Sequence, residues 1–203
     1  MLIDIEGNPV RETEWPVNRA GFVIHSAIHS SIPQAHCVMH THTLHGVAVS
    51  AQKSGLLALS QHSTFPLASI AYHDYEGIAT DLEERERLVA DMGDKHAMIL
   101  RNHGLLACGP SIPQAFNLIY WLEQACRIQV QTLSCQRPLH KAKPEVVELT
   151  AEVLSGTEIT LDNEAATNPH LKEDAQKAGS GYGLLEWPTL LRSLDRVDRS
   201  YQT

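Results

Sequence analysis

The stretch Cys37-Val38-Met39-His40-Thr41-His42-Thr43 decides how this chain is read. Valine, methionine and threonine suit extended backbone, and on a strand residues two apart point to the same face. The pattern predicts a strand that aims His40 and His42 side by side, with Thr41 turned away. Two parallel imidazoles at that spacing form half of a zinc site, since catalytic zinc usually takes three protein ligands and a water. A third ligand must come from elsewhere. The segment Ala97-Met98-Ile99-Leu100-Arg101-Asn102-His103-Gly104-Leu105-Leu106 fits, with a histidine at the end of a buried strand and before a glycine turn. His40, His42 and His103 are therefore the expected metal ligands, for about one Zn2+ per chain or another divalent metal. The rival reading is three ordinary polar residues at strand ends. A metal held by the three would act as a Lewis acid on a carbonyl.

Composition narrows the classes. The chain has 203 residues, of which 43% are hydrophobic, which suits a globular domain with a sizeable core. The formal net charge of −8 argues against nucleic acid or an anionic membrane as partner. No apolar run reaches the ~18–20 residues of a membrane helix. The start Met1-Leu2-Ile3-Asp4-Ile5-Glu6 lacks the basic and apolar regions of a signal peptide, so a cytoplasmic location is expected. Cys37, Cys108, Cys126 and Cys135 show no Cys-x-x-Cys spacing and lie in apolar surroundings, which predicts reduced core thiols. Twelve histidines stand against 3 phenylalanines, an excess that favours a metal site.

In chain order, residues 2–10 read as a short strand that ends in a Gly7-Asn8-Pro9 turn. Asn18 is a helix N-cap, with the helix running to about Ser30 and a stripe of Val23, Ile24, Ala27 and Ile28. The strand of His40 and His42 leads into a helix from Leu44 to Gln52, stopped by Gly55. Residues 56–59 and 67–73 read as buried strands. Asp81 and Glu84 open a helix to about Met92, with Gly93 as its stop. Met98 to Cys108 reads as two strands folded back at Asn102-His103-Gly104. Ser111-Ile112-Pro113-Gln114 is a capping box with proline in the first turn, opening a helix to about Ser134. Pro144 starts another helix to about Leu154. The expected organisation is a domain over 1–155, then a linker and C-terminal tail over 156–203. A terminal helix within 184–197 would dock on this subunit or on a neighbour.

Several other residues invite chemistry. His25 and His29 are four apart on a helix, but the zincin pattern needs a glutamate after its first histidine, and Ser26-Ala27-Ile28 supplies none. His45 and His62 read as supporting or packing groups. His73, Asp74 and Glu76 read as a polar turn after a strand. The chain carries no Gly-x-Ser-x-Gly, P-loop or dinucleotide fingerprint.

Four segments then form a pattern: Asn18 to His29, His40-Thr41-His42-Thr43, Ala71-Tyr72-His73-Asp74-Tyr75-Glu76-Gly77, and Leu100-Arg101-Asn102-His103-Gly104-Leu105. In order and separation they resemble the class II aldolase/adducin family, over roughly residues 2 to 150. The resemblance implies an α/β fold, three-layer α/β/α with a mostly antiparallel central sheet. It implies zinc on three histidines, which fall on His40, His42 and His103. It implies cleavage or epimerisation of small sugar phosphates or hydroxy acids through a metal-stabilised enediolate. It also implies a homo-oligomer, commonly a tetramer with its active site at a subunit interface.

Three departures set this chain apart from the aldolases of that family. Their glutamate acid/base falls on Gly21, which cannot transfer a proton. A tyrosine of the sugar-phosphate aldolases falls near Gln61. Both departures place the chain nearer the adducin-like branch, whose head domains are cytoskeletal and have no known catalytic role. Family domains also begin about fifty residues further upstream, with a loop that holds the substrate's phosphate or carboxylate, so the chain is expected to be N-terminally short. The leading expectation is a zinc-dependent lyase-like protein with its proton donor unassigned. The alternative is a non-catalytic oligomeric or interaction module.

Overall fold

The computed structural model describes residues 1–77, 83–155, 183–184 and 186–202. At its centre lie β1 (Cys37–Thr41), β2 (Ile70–His73), β3 (Ala97–Leu100) and β4 (Gly104–Gly109), in the order β1-β4-β3-β2. β4 pairs antiparallel with β1 and β3, while β2 pairs parallel with β3. The sheet is thus mixed and mostly antiparallel. Its parallel pair needs a crossover, and α4 (Glu84–Met92) lies in that connection.

Helices cover both faces. α1 (Arg19–Ser31) and α4 pack Val23, Ile24, Ala27, Ile28, Leu88 and Met92 against Met98, Leu100, Leu106 and Cys108. α2 (Leu44–Ser50) and α5 (Ile112–Ser134) pack Val49, Leu118, Ile119, Leu122 and Cys126 against Ala97, Ile99, Leu105 and Ala107. Alternate strand residues thereby face opposite layers, the three-layer arrangement expected. Every residue of β3 and β4 is buried, which explains why both read as unbroken apolar runs. Each fully buried leucine or isoleucine there stabilises the fold by ~1.5–3 kcal/mol.

The helix starts follow their caps. Asn18 Oδ1 accepts from the Gly21 amide at 3.2 Å. Ser111 Oγ accepts from the Gln114 amide at 3.4 Å and donates to Gln114 Oε1 at 2.7 Å. α4 stops at Gly93, whose φ of +53° suits glycine. α6 (Pro144–Ser155) follows on from α5, and at the start of α7 (Trp187–Leu194) the Trp187 ring lies 5.4 Å from that of Phe116 on α5.

Some expectations fail. Residues 2–10 form a single Ile3–Pro9 bridge rather than a strand, because the Asp4 carboxylate takes the amides of Glu6 and Asn8 and turns the chain. Residues 56–59 form no strand either. Side chains satisfy their amides: Leu56 N–H donates to the Tyr72 hydroxyl at 3.0 Å and Leu57 N–H to Gln129 Oε1 at 2.7 Å. A helix not foreseen, α3 (Gln61–Leu67), takes the start of the strand expected over 67–73. Cys108 and Cys126 are buried free thiols, but Cys37 is only partly buried and Cys135 is exposed. The Asp81 cap and the linker over 156–180 lie outside the described residues. Among the described residues no helix is long and apolar enough to cross a membrane.

Candidate metal centre

β1 and the β3–β4 turn meet at one end of the sheet. His40 sits in β1 opposite Leu106, and His42 follows the last ladder pair, Thr41 with Leu105. His103 lies in the turn that joins β3 to β4. This turn is pinned from three sides. Arg101 N–H donates to the His73 carbonyl at 2.8 Å, and the Arg101 guanidinium donates to the Gln52 carbonyl at 2.8 Å. That guanidinium also stacks 4.3 Å over the Tyr72 ring. Asn102 adopts φ +55°, and its amide donates to the Ser50 carbonyl at 3.3 Å. Glycine is required at 104, because a Cβ there would lie 2.3 Å from the Thr41 carbonyl oxygen.

The result is a compact trio of imidazoles. Ring centroids are 4.7 Å apart for His40 and His42, 4.8 Å for His40 and His103, and 4.6 Å for His42 and His103. One ring nitrogen from each lies within 4.8 Å of the other two. The structure therefore brings together all three histidines singled out in the sequence.

Electrostatics favour the neutral form of His40 and His103. Burial pushes the His40 imidazole down to about 4, with repulsion from His103, His42 and His25 adding to it and the Leu105 carbonyl opposing. Burial, then the His42 charge, lowers His103 as well. His40 Nδ1 stands 2.9 Å from the Leu105 carbonyl. A carbonyl only accepts, so Nδ1 carries the proton and Nε2 keeps a free lone pair. That Nε2 is 2.8 Å from His42 Nε2. Neutral imidazoles with converging lone pairs are the donor set that zinc and similar divalent ions prefer, so these residues fit such an ion.

Around the trio the sequence reading succeeds only in part. Gly21 lies on α1 as expected and offers no proton-transfer group. His25 is electrostatically coupled to His40, whereas His29 turns away and its Nδ1 bonds the Ala35 carbonyl at 2.7 Å. His62 packs against Trp121, with rings 5.1 Å apart. His73 is not part of an exposed turn: it ends β2, is 3% exposed, and sets Nδ1 2.7 Å from Asp91 Oδ2. Glu123, unnoticed in the sequence, reaches from α5 to the start of α2. Its carboxylate accepts from the Thr43 hydroxyl, from His45 Nδ1 at 2.9 Å and from the Gly46 amide at 3.0 Å. A lone acid within an amphipathic helix reads as solvated, and nothing local in the sequence marks it otherwise.

Known proteins share this fold. Residues 1–130 match the class II aldolase and adducin N-terminal domain, and the chain belongs to that family. A Caulobacter vibrioides protein described as "Putative aldolase class 2 protein" is 44% identical over 98% of this chain and 70% of its own length. The crystal structure of an aldolase II superfamily protein from Pseudomonas syringae superposes with a TM-score of 0.79 at 42% identity, covering 99% of this chain and 73% of its own. The L-fuculose 1-phosphate aldolase of Glaciozyma antarctica superposes with a TM-score of 0.63 at 29% identity, over 75% of this chain and 59% of its own.

Proposed function

We propose that this chain is a divalent-metal-dependent enzyme of the class II aldolase type, with His40, His42 and His103 as the metal ligands and zinc as the metal. The observation that carries the reading is the convergence of three imidazoles from two separate segments. An ion held there supplies Lewis acidity towards an oxygen of a small carbonyl or hydroxy compound. The substrate class is a sugar phosphate or hydroxy acid, in keeping with the L-fuculose 1-phosphate aldolase among its structural neighbours. The chain's own residues hold the ion, and the Leu105 carbonyl fixes the His40 tautomer. His25 and His29 lie on the same helix as Gly21, and His25, whose charge reaches His40, is the candidate for the proton-handling role that Gly21 cannot fill. A homo-oligomer, a tetramer by family analogy, completes the proposal, and light scattering on the purified chain reads its size.

The test is metal content. Purified protein should carry about one zinc per chain and His103→Ala should carry none. Full stoichiometry in that variant would overturn the ligand assignment. Zinc-loaded protein is then screened for aldol cleavage, epimerisation and decarboxylation. His25→Ala should keep its zinc and lose turnover.

Gly21 favours a second reading, a non-catalytic module of the adducin kind, because α1 lacks a carboxylate where the family's aldolases place one. Turnover of any small sugar phosphate or hydroxy acid by the zinc-loaded protein excludes it.

A further inference from the structure

We infer that Glu123 is a positioning residue for the histidine trio: from α5 it fixes the segment that carries His42. The inference rests on the metal reading proposed above. The β1 ladder ends at Thr41 paired with Leu105, so among the described residues no strand hydrogen bond fixes His42 or the residues after it. Residues 43–46 must hold it from behind. Thr43 is the N-cap of α2, yet its side chain makes no cap hydrogen bond of its own. Its hydroxyl donates to Glu123 instead, and the same carboxylate accepts the Gly46 amide that a local cap would have taken. His45 Nδ1 is the third donor, and since a carboxylate only accepts, that nitrogen carries a proton. The Glu123 side chain is one-fifth exposed and has a donor from each of three residues. It therefore binds the first turn of α2 at three points.

Packing makes that placement consequential. A Cβ on Gly46 would lie 2.6 Å from Leu105 Cγ and 2.7 Å from Thr43 Oγ1, so α2 sits flush on β4. Leu105 also gives its carbonyl to His40 Nδ1. One β4 residue thus borders the Glu123-bound turn and orients a second member of the trio. α5 also grips the turn that follows α2: Gln129 donates to Gln52 Oε1 and to the Gly55 carbonyl. A shift of Glu123 tilts α2 about that anchor and moves His42 relative to His40.

The experiment compares the full chain with Glu123→Gln, Glu123→Ala and the stability control Ile119→Ala, which removes core packing on the same helix. Zinc affinity is read by competition with a chromophoric chelator, and site geometry by the visible band of the Co2+-loaded protein. Both Glu123 variants should weaken zinc binding, by about 10- to 100-fold, as loss of a group that orients a ligand does, and should change the Co2+ band. Ile119→Ala should lower thermal stability and leave both readouts as in the parent. Parent-like affinity and spectrum in Glu123→Ala would overturn the inference, as would an equal loss in Ile119→Ala. If the parent itself binds no zinc, the metal reading falls by itself. Ring NMR signals of His40 and His42 in the metal-free chains then decide: displaced by Glu123→Gln but not by Ile119→Ala, they uphold the positioning role, and unmoved they end it.

Discussion

The Nε2 atoms of His40 and His42 stand 2.8 Å apart, so both rings cannot be protonated at once without placing like charges in contact. This sets an acid limit on the metal-free protein. Burial first, then its neighbours' charges, lowers His40 from 6.5 to about 4 in the fold. Between those values the unfolded chain binds the proton and the folded chain does not. Stability from this group is therefore complete above pH 6.5 and is lost as the pH falls towards about 4. The loss is at most ~3 kcal/mol, and less to the extent that water reaches the ring. Urea unfolding of metal-free protein at pH 7 and at pH 4.5 reads it, and His40→Asn should flatten the dependence. A parent midpoint that does not fall on acidification counts against the buried neutral imidazole.

Gly104 carries the turn that presents His103. A methyl group there would press on the Thr41 carbonyl at 2.3 Å, and that contact is backbone, which has no rotamer to yield. Gly104→Ala should cost ~1–3 kcal/mol of stability, as overpacking does, and should weaken zinc binding because β1 is pushed from β4 at the ligand end. Denaturant titration and chelator competition measure the two effects. A stable variant with unchanged zinc affinity would show that the turn tolerates displacement.

Much of this was legible because local and long-range signals agreed. The runs Ala97–Leu100 and Gly104–Gly109 are apolar because they are buried on both faces, and that same burial marks them as strands in the sequence. Ser111 and Gln114 announce α5 because their bonds are local. The errors fall where a distant partner decides. Leu56 and Leu57 look like strand residues, but Tyr72 and Gln129 take their amides. α3 has seven residues, a proline at 66 and no apolar stripe long enough to show a period. Glu123 meets Thr43, His45 and Gly46 across 77 to 80 positions of sequence, beyond any local pattern.

His73 and Asp91 form a hydrogen-bonded pair outside the histidine trio. His73 is 3% exposed, its Nδ1 bonds Asp91 at 2.7 Å, and its Nε2 lies 3.5 Å from Glu84 Oε1 and has no hydrogen-bond partner among the described residues. Asp91→Ala strips the ring of the partner it has and leaves a second buried nitrogen unsatisfied. The expected cost is ~1–3 kcal/mol. Because Asp91 touches none of the trio, zinc stoichiometry should not change. Metal analysis and urea unfolding of the same preparation separate the two, and loss of zinc in Asp91→Ala would tie this pair to the metal centre.

Metal binding should itself stabilise the fold, because the trio is assembled only in the folded chain. His40 and His42 share one segment, but His103 arrives from 61 positions later through the β1–β4 pairing. An unfolded chain offers no such cluster, so zinc binds the native state and shifts the equilibrium by mass action. Free zinc at a hundred times its dissociation constant adds ~2.7 kcal/mol. For a chain of this size that is a rise in Tm of roughly 5–10 °C. Calorimetry with zinc, then with excess EDTA, should show the rise and its reversal. His42→Ala should unfold at the same temperature under both conditions, since two imidazoles alone hold the ion weakly. An identical zinc-dependent rise in that variant would locate the binding elsewhere on the chain.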